Sequence, residues 1–328
     1  MLAGPAATAQ AHPGVGAGAG DFKKSFSHFQ PPDLKLLYGF IQAHSPHYPV
    51  QVLCQVLGVS RSAYYSWKEH QEGSAAGENS KAVEQQIISI FQEHRRRYGV
   101  RRVAAELKAN AVKAGVYKVR KVLKEHGLKA IQPRSFVPKT TDSRHPYPIS
   151  PNLLLERRLP LRPDEVWVGD ITYIPLSGGS YAYLSVWMDL YSRKIIGWHL
   201  DDNMKEALVI AAFKKALMNR RVTKELIVHS DRGGQYAGNK FRKLIDPKSQ
   251  IMQSMSRADN PYDNAFMESC FSRFKTELVQ DGAFENLQDA NTEIFEYIEM
   301  YYNTKRRHSS LSYECPNNFE KNYYFYIT

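Results

Sequence analysis

The chain has 328 residues, 43% of them hydrophobic and 23% charged, so it can bury one or two cores and should be globular, with two or more domains. Its net charge of +11 and sequence pI near 9.4 point to a polyanionic partner, because clustered Lys and Arg gain free energy by releasing counterions from phosphates. No apolar run approaches the roughly 20 residues that span a bilayer. Cys54, Cys270 and Cys315 are too scattered for a disulfide framework or a thiolate zinc site, which leaves a reducing, cytoplasmic setting as the expectation.

Residues 1–21 are Ala/Gly-rich, with neither a basic start nor an apolar stretch, and read as a disordered tail or vector-derived leader and not as a signal peptide. Residues 22–75 read as a helical module. At its centre the run from Val50 to Tyr65 gives an apolar helix, a turn at Gly58 and a Ser60 cap opening a second helix, the grammar of a helix-turn-helix. Ser60, Arg61, Ser62 and Tyr64 would then face DNA in the major groove. The plainer alternative is a helical hairpin that only packs. Gln71 to Ser80, rich in Gly, Ser, Ala and Glu, reads as a linker.

Residues 76–133 form a second, basic helical module. Apolar positions at Val83, Ile87, Ile88 and Phe91, at Val103, Ala104 and Leu107, and at Val119, Val122 and Leu123 define three helices. Between Lys81 and Lys139 there are 15 Lys and Arg against 4 Asp and Glu, which equals the whole excess of the chain. A basic run is often just a solvated face. Because this one accounts for all the excess, Arg101, Arg102, Lys118, Arg120 and Lys121 are expected on phosphates. Residues 134–163 read as an extended linker.

From Glu165 the pattern becomes strand-like. Val166–Pro175, Tyr181–Tyr191 and Lys194–Asp201 suit an antiparallel meander, followed by a helix over Lys205–Met218, a strand over Leu226–His229, a helix near Lys240 and a strand over Ile251–Ser254. Such an order predicts an α/β fold, a mixed five-stranded sheet with flanking helices. Residues 164–280 would form this catalytic core and 281–328 a C-terminal helix with a basic tail.

Three acids stand in distinctive frames. Asp170 interrupts the apolar strand Trp167 to Tyr173, where a carboxylate must be solvated, paired or bound to metal. Asp231 ends the fourth strand in His229 to Tyr236, the strand end at which open α/β sheets place ligands. Glu268 borders the stripe Met267, Cys270, Phe271, Phe274 and Leu278 on a helix opening near Asp263, with Lys275 about 10 Å along the axis above it. Each acid alone reads as a surface residue or a cap. Together they suggest a carboxylate cage for divalent metal, one that suits Mg2+ or Mn2+, hard cations that prefer oxygen.

Arg232, Gln235 and Arg257 flank this site and suit either phosphates or the acids themselves. Asn303, Arg306, Arg307 and His308 follow a helix carrying Ile294, Phe295, Tyr297, Ile298 and Tyr301. That aromatic stripe reads as core or interface, and the basic turn after it as a DNA contact. His199 and His229 are read as packing or support residues.

From about Ser45 to Tyr323 the chain resembles the second-frame product of insertion-sequence transposases of the IS-three family, members of the retroviral-integrase superfamily. The motifs that carry the resemblance are Trp167 to Tyr173, Asp189-Leu190-Tyr191-Ser192-Arg193, His229 to Tyr236, Ser254-Met255-Ser256-Arg257, Asp263-Asn264-Ala265, Glu268-Ser269, Lys275-Thr276-Glu277, and Tyr302-Asn303 through Arg307-His308-Ser309. The resemblance implies an RNase H-like fold, two Mg2+ ions on Asp170, Asp231 and Glu268, and contact of Lys275 with transposon-end DNA. It implies 3′-end cleavage and strand transfer on double-stranded DNA, terminal repeats and target alike, by a homodimer or larger multimer. Fusion with or binding to an upstream-frame protein is also implied. A catalytically weak end-binding regulator and a two-metal structure-selective nuclease are the competing readings. One departure is visible: the family pattern has 35 residues between the second acid and the glutamate, whereas 36 lie between Asp231 and Glu268, the extra one assigned to the loop from Leu244 to Gln250.

Overall fold

A computed structural model describes residues 33–132, 145–155, 158–245, 250–257, 264–279 and 282–327. The expected tail at 1–21, part of the 134–163 linker, Asp263, and the loop carrying the extra residue lie outside that set, in whole or in large part. The chain divides into two compact units, residues 1–85 and 86–328.

In the first unit, α1 (Leu34–His44) and α2 (Val50–Leu57) precede α3, which starts at Arg61. Asp33 opens α1, its carboxylate accepting from the Lys35 amide at 3.0 Å. Gly58 closes α2 in the left-handed region at φ 69°, a conformation that costs glycine little. Ser60 then accepts from the Ala63 amide at 3.4 Å, so the expected helix, turn and second helix are all present. Tyr38, Ile41, Leu53, Cys54 and Tyr64 form the core of the unit.

The expected linker is not a break: α3 runs unbroken from Arg61 to Glu93 through Gln71–Ser80. Gly73 and Gly77 each cost a helix about 1 kcal/mol relative to Ala. Good helix formers surround them, Glu72, Ala75, Ala76, Glu78 and Lys81, and established turns on both sides make continuation cheaper than a fresh nucleus.

The second unit opens on the end of α3, followed by α4 (Val100–Ala109) and α5 (Val116–Glu125), which contact each other. Ile87, Phe91, Val103, Leu107, Val119, Val122 and Leu123 are buried, as the helical spacing predicts. The sheet follows: β1 (Val166–Pro175), β2 (Tyr181–Asp189), β3 (Ile195–Asp201), β4 (Leu226–Ser230) and β5 (Ile251–Met255), in the order β3-β2-β1-β4-β5. Strands β1, β2 and β3 pair antiparallel, whereas β4 joins β1 and β5 joins β4 in parallel. The fold class is therefore the expected α/β arrangement, a mixed five-stranded sheet with helices on both faces.

Alternate side chains on each strand enter different layers, which is why the strands read so clearly. Val166, Val168, Val186, Met188, Ile195 and Ile227 face α9 (Ala265–Leu278) and α10 (Leu287–Phe295), the latter continuing as a wider π-turn over Glu296–Tyr302. Trp167, Trp187, Ile196, Leu226 and Val228 face α6 (Glu206–Asn219), the single turn α7 (Gly234–Ala237) and α8 (Asn239–Ile245). A last helix, α11, spans Pro316–Ile327. Close packing needs glycine at two strand positions. A methyl at Gly169 would meet the Trp187 ring at 2.7 Å, and one at Gly197 would collide with the Ala212 carbonyl of α6. Among the described residues, no helix is long and apolar enough to cross a membrane.

Candidate active site

The register of two neighbouring strands assembles the site. Trp167 pairs with Val228 and Val168 with His229 across the parallel β1–β4 pair, so position 170, two residues on, comes level with position 231 at the end of β4. Two aspartates 61 positions apart in sequence thus become side-by-side neighbours. Helix α9 packs on β1 and carries Glu268 in its first turn, on the exposed side of the buried stripe Met267, Cys270, Phe271 and Phe274. The expected stripe is present, with Leu278 partly buried at its end.

Electrostatics ties the three acids together. Burial drives the Asp170 carboxyl well above the usual carboxylate range, and the charges of Asp231 and Glu268 push it further in the same direction. The Ile171 amide, donating to Oδ1 at 2.8 Å, and the Lys275 ammonium pull it back. Lys275 is itself lowered by burial, with Asp170 opposing. The sequence placed these four groups in one site, and the structure makes each of the other three felt at Asp170. Even so, among the described residues no three His, Cys, Asp or Glu side chains are gathered tightly enough to hold a metal as they stand. The acids form an electrostatic neighbourhood and not a closed cage.

The loop after β4 is firmly held. Asp231 Oδ1 accepts from the Gly233 amide at 3.0 Å. The Arg232 carbonyl accepts from His145 Nε2 at 2.6 Å, and Arg232 Nε donates to the Ser256 carbonyl at 2.6 Å. Gln235 donates to the Met204 carbonyl at 3.1 Å. In these contacts Arg232 and Gln235 brace backbone, not the acids. His229 is fully buried between Ser254 Oγ at 2.8 Å and Ser256 Oγ at 3.3 Å, the supporting role expected of it. His199 lies on β3, where burial lowers its pKa.

Several residues expected on DNA are placed elsewhere. Tyr64 is 1% exposed in the core of the first unit, against Tyr38 and Trp67, because position 64 falls on the inner side of α3. Ser60, Arg61 and Ser62 are exposed. Arg306 is 2% exposed and donates to both oxygens of Glu277, at 2.7 and 2.6 Å. Arg102 reaches the same carboxylate at 3.4 Å. Arg307 pairs with Glu106, one of its contacts at 3.0 Å. Asn303 is buried, its carboxamide accepting from the Ile195 amide and donating to the Ile195 carbonyl. His308 is buried beside Arg306, which together with burial drives its pKa down to about 2. These four arginine and histidine side chains, with Asn303, stitch the second unit together. Of the remaining basic candidates, Arg101, Arg120, Lys121 and Arg257 are exposed and Lys118 is half-buried. In the aromatic stripe, Tyr297 and Ile298 are buried as expected, whereas Phe295 is 49% exposed.

Three further residues were not singled out from the sequence. Tyr236 is buried, and after burial itself the charges of Asp170 and Asp231 are what raise its pKa, so its ring lies within their field. His145 falls in a stretch read as a plain connector, and no local pattern marks it as a brace. Tyr117, 79% exposed on the first turn of α5, sits among the basic candidates, and its isolation in a charged run was the available signal.

An α/β core of this kind, with the family match and the relatives that follow, is that of an integrase-type polynucleotidyl transferase. The Integrase core domain family matches residues 160–261 and again 249–316, and an HTH-like domain matches residues 78–136. That second match covers α4 and α5, not the α2–α3 turn. The chain is 38% identical over 272 residues to the insertion element IS600 uncharacterized 31 kDa protein of Shigella sonnei, covering 83% of this chain and 98% of the relative. It is 37% identical to the transposase for insertion sequence element IS904 of Lactococcus lactis, covering 77% and 98%. It is 33% identical to transposase InsF for insertion sequence IS3A of Escherichia coli K12, covering 86% and 98%. The chain belongs to the IS3 family of insertion-sequence transposases.

Proposed function

We propose that this chain cleaves the 3′ ends of its insertion sequence and joins them to a second DNA strand, with Asp170, Asp231 and Glu268 as the catalytic acids. The observation that carries this reading is the β1–β4 register, which sets Asp170 level with Asp231 while Glu268 adds its charge to the same spot. Three crowded carboxylates are a hard oxygen donor set, and the repulsion at Asp170 is what a divalent cation relieves, so Mg2+ or Mn2+ fits these residues. When bound, a metal pair activates the attacking oxygen and stabilises the leaving one in an in-line displacement at phosphorus.

The chain's own residues supply the rest. Asp170, from within β1, and Asp231, just past the end of β4, offer oxygens and are held by the Ile171 and Gly233 amides. Glu268, on the exposed side of α9, completes the set from a third element, and Lys275 offers a cation to the phosphate of the bound end. Neither step needs a covalent link to protein. Arg101, Lys118, Arg120 and Lys121 are the proposed phosphate contacts of the HTH-like module, and Ser60 and Arg61 those of the first unit. Assembly as a dimer or larger multimer, and association with an upstream-frame protein, belong to the same proposal.

The test is a labelled terminal DNA with purified protein and Mg2+, scored for nicked and joined products. Asp170→Ala and Glu268→Gln are each expected to lose both products by at least about 10³-fold while end binding holds. Joining at the wild-type rate in either variant sinks the assignment. Binding without nicking by the wild type marks an end-binding regulator, and nicking without joined product a nuclease.

A further inference from the structure

Helix α9 bears Glu268 near its start and Glu277 nine residues later, about 13 Å along the axis. Glu277 is 5% exposed, and its partners come from two directions. From the C-terminal segment, Arg306 supplies the two hydrogen bonds given above and Tyr297 donates its hydroxyl at 3.0 Å. From the HTH-like module, Arg102 reaches Oε1 at 3.4 Å, and Arg97 Nε donates to the Glu277 backbone carbonyl at 3.1 Å. Arg97 also lies over the rings of Tyr297 and Tyr301, at 5.2 and 4.7 Å. Burial alone would raise the Glu277 carboxyl, but Arg306 and then Arg102 outweigh it and hold the group ionised.

The Arg306 and Tyr297 contacts suffice to satisfy a buried carboxylate. The two module arginines add something different, a polar tether from the DNA-binding helices to the last turn of the helix that presents the third acid. We propose that Glu277 is a positioning residue: through Arg97 and Arg102 it ties the HTH-like module to α9, so that seating the module on DNA fixes the placement of Glu268 and Lys275. This rests on the reading of Glu268 as a catalytic acid. A displacement of even about 1 Å at such a site can cost on the order of 10²-fold in rate.

The informative variant is Arg102→Gln, which removes the charged, side-chain half of the tether and leaves the Arg97 bond to the Glu277 carbonyl and the Arg306–Glu277–Tyr297 contacts of the fold in place. Three quantities are measured on full-length protein with labelled terminal DNA: affinity and its salt slope, the single-turnover nicking rate at saturating DNA with Mg2+, and amide exchange of residues 265–278 with and without DNA. For Arg102→Gln the expectation is affinity and salt slope within about twofold of wild type, a nicking rate lower by about tenfold or more, and loss of the DNA-induced protection of α9 that the wild type is expected to show. Arg102→Lys, which keeps a cation facing Glu277, is expected to regain most of the rate. A weaker affinity with a shallower salt slope and an unchanged saturated rate would make Arg102 a phosphate contact and overturn the proposal. So would wild-type protection of α9 in Arg102→Gln. The exchange arm decides the tether even if the wild type binds without nicking, an outcome that fails the transposase reading separately.

Discussion

At the scale of single residues, the site is built at some expense of stability. Asp170 is a half-buried acid pressed by two others, so the fold carries a repulsion at the proposed site. Asp170→Asn is therefore expected to raise the Tm of the metal-free protein by a few degrees while abolishing nicking, as followed by thermal unfolding. The wild type should gain stability on adding Mg2+ and this variant much less. His308 gives a pH signature. Its folded pKa of about 2 lies below its unfolded value near 6.5, so the unfolded chain binds the extra proton between these limits and stability falls as pH drops below about 6.5. One proton corresponds to at most about 1.4 kcal/mol per pH unit. His308→Gln should flatten the slope of unfolding free energy between pH 6 and 5 by up to that amount. Asp189, pushed up to about 6 by burial, acts oppositely over part of the same range, because its folded form holds the proton. The comparison must therefore be variant against wild type, not the raw pH curve.

At the scale of elements, the strands were legible because each packs against a different layer on each face, which imposes the two-residue period. Val166, Trp167 and Val168 show it in three consecutive positions. The helices of the basic module were legible for the same reason at their own period. The helix through Gly73 and Gly77 was not, since glycine marks a weak helix as well as a break, and only its continuity with both flanks decides between them. The basic residues were misread for a different reason. Glu277 lies 175 positions from Arg102, and Glu106 lies 201 from Arg307, so the carboxylates that neutralise these arginines are invisible to any local count. Breaking such a buried pair on one side leaves an uncompensated charge. Arg306→Ala is expected to cost about 3–5 kcal/mol in denaturant unfolding, far more than a surface arginine would. Gly197→Ala should force β3 away from α6 at a cost of about 1–3 kcal/mol, again read from the unfolding midpoint.

At the scale of the whole molecule, the charge argument survives in reduced form. The +11 excess does map to one segment, yet Arg102 is turned inward, and Arg97 is bound to α9. The surface left for the proposed DNA contact is narrower than the sequence suggested, with Arg101, Arg120 and Lys121 still exposed. Removing Arg120 should weaken binding to all sequences alike and lower the salt slope by about 0.9, measured by titrating labelled DNA across ionic strength. The three acidic motifs stood out in the sequence because each is local and distinctive. What brings them together, a parallel register and a helix laid across β1, is not local at all.

Asn303 shows what this architecture gains beyond catalysis. β3 is the outer strand on its side of the sheet, and its free amide and carbonyl at Ile195 are matched by one carboxamide, at 3.0 and 2.9 Å, much as a sixth strand would match them. On the opposite margin the Met255 amide meets the Pro151 carbonyl of the segment before the core. Exposed margins of this kind recruit neighbouring polypeptides into fibrils or swapped dimers. Each border is thus met at one point by the chain's own residues, which leaves a shorter run of unpaired backbone on which another copy could stack.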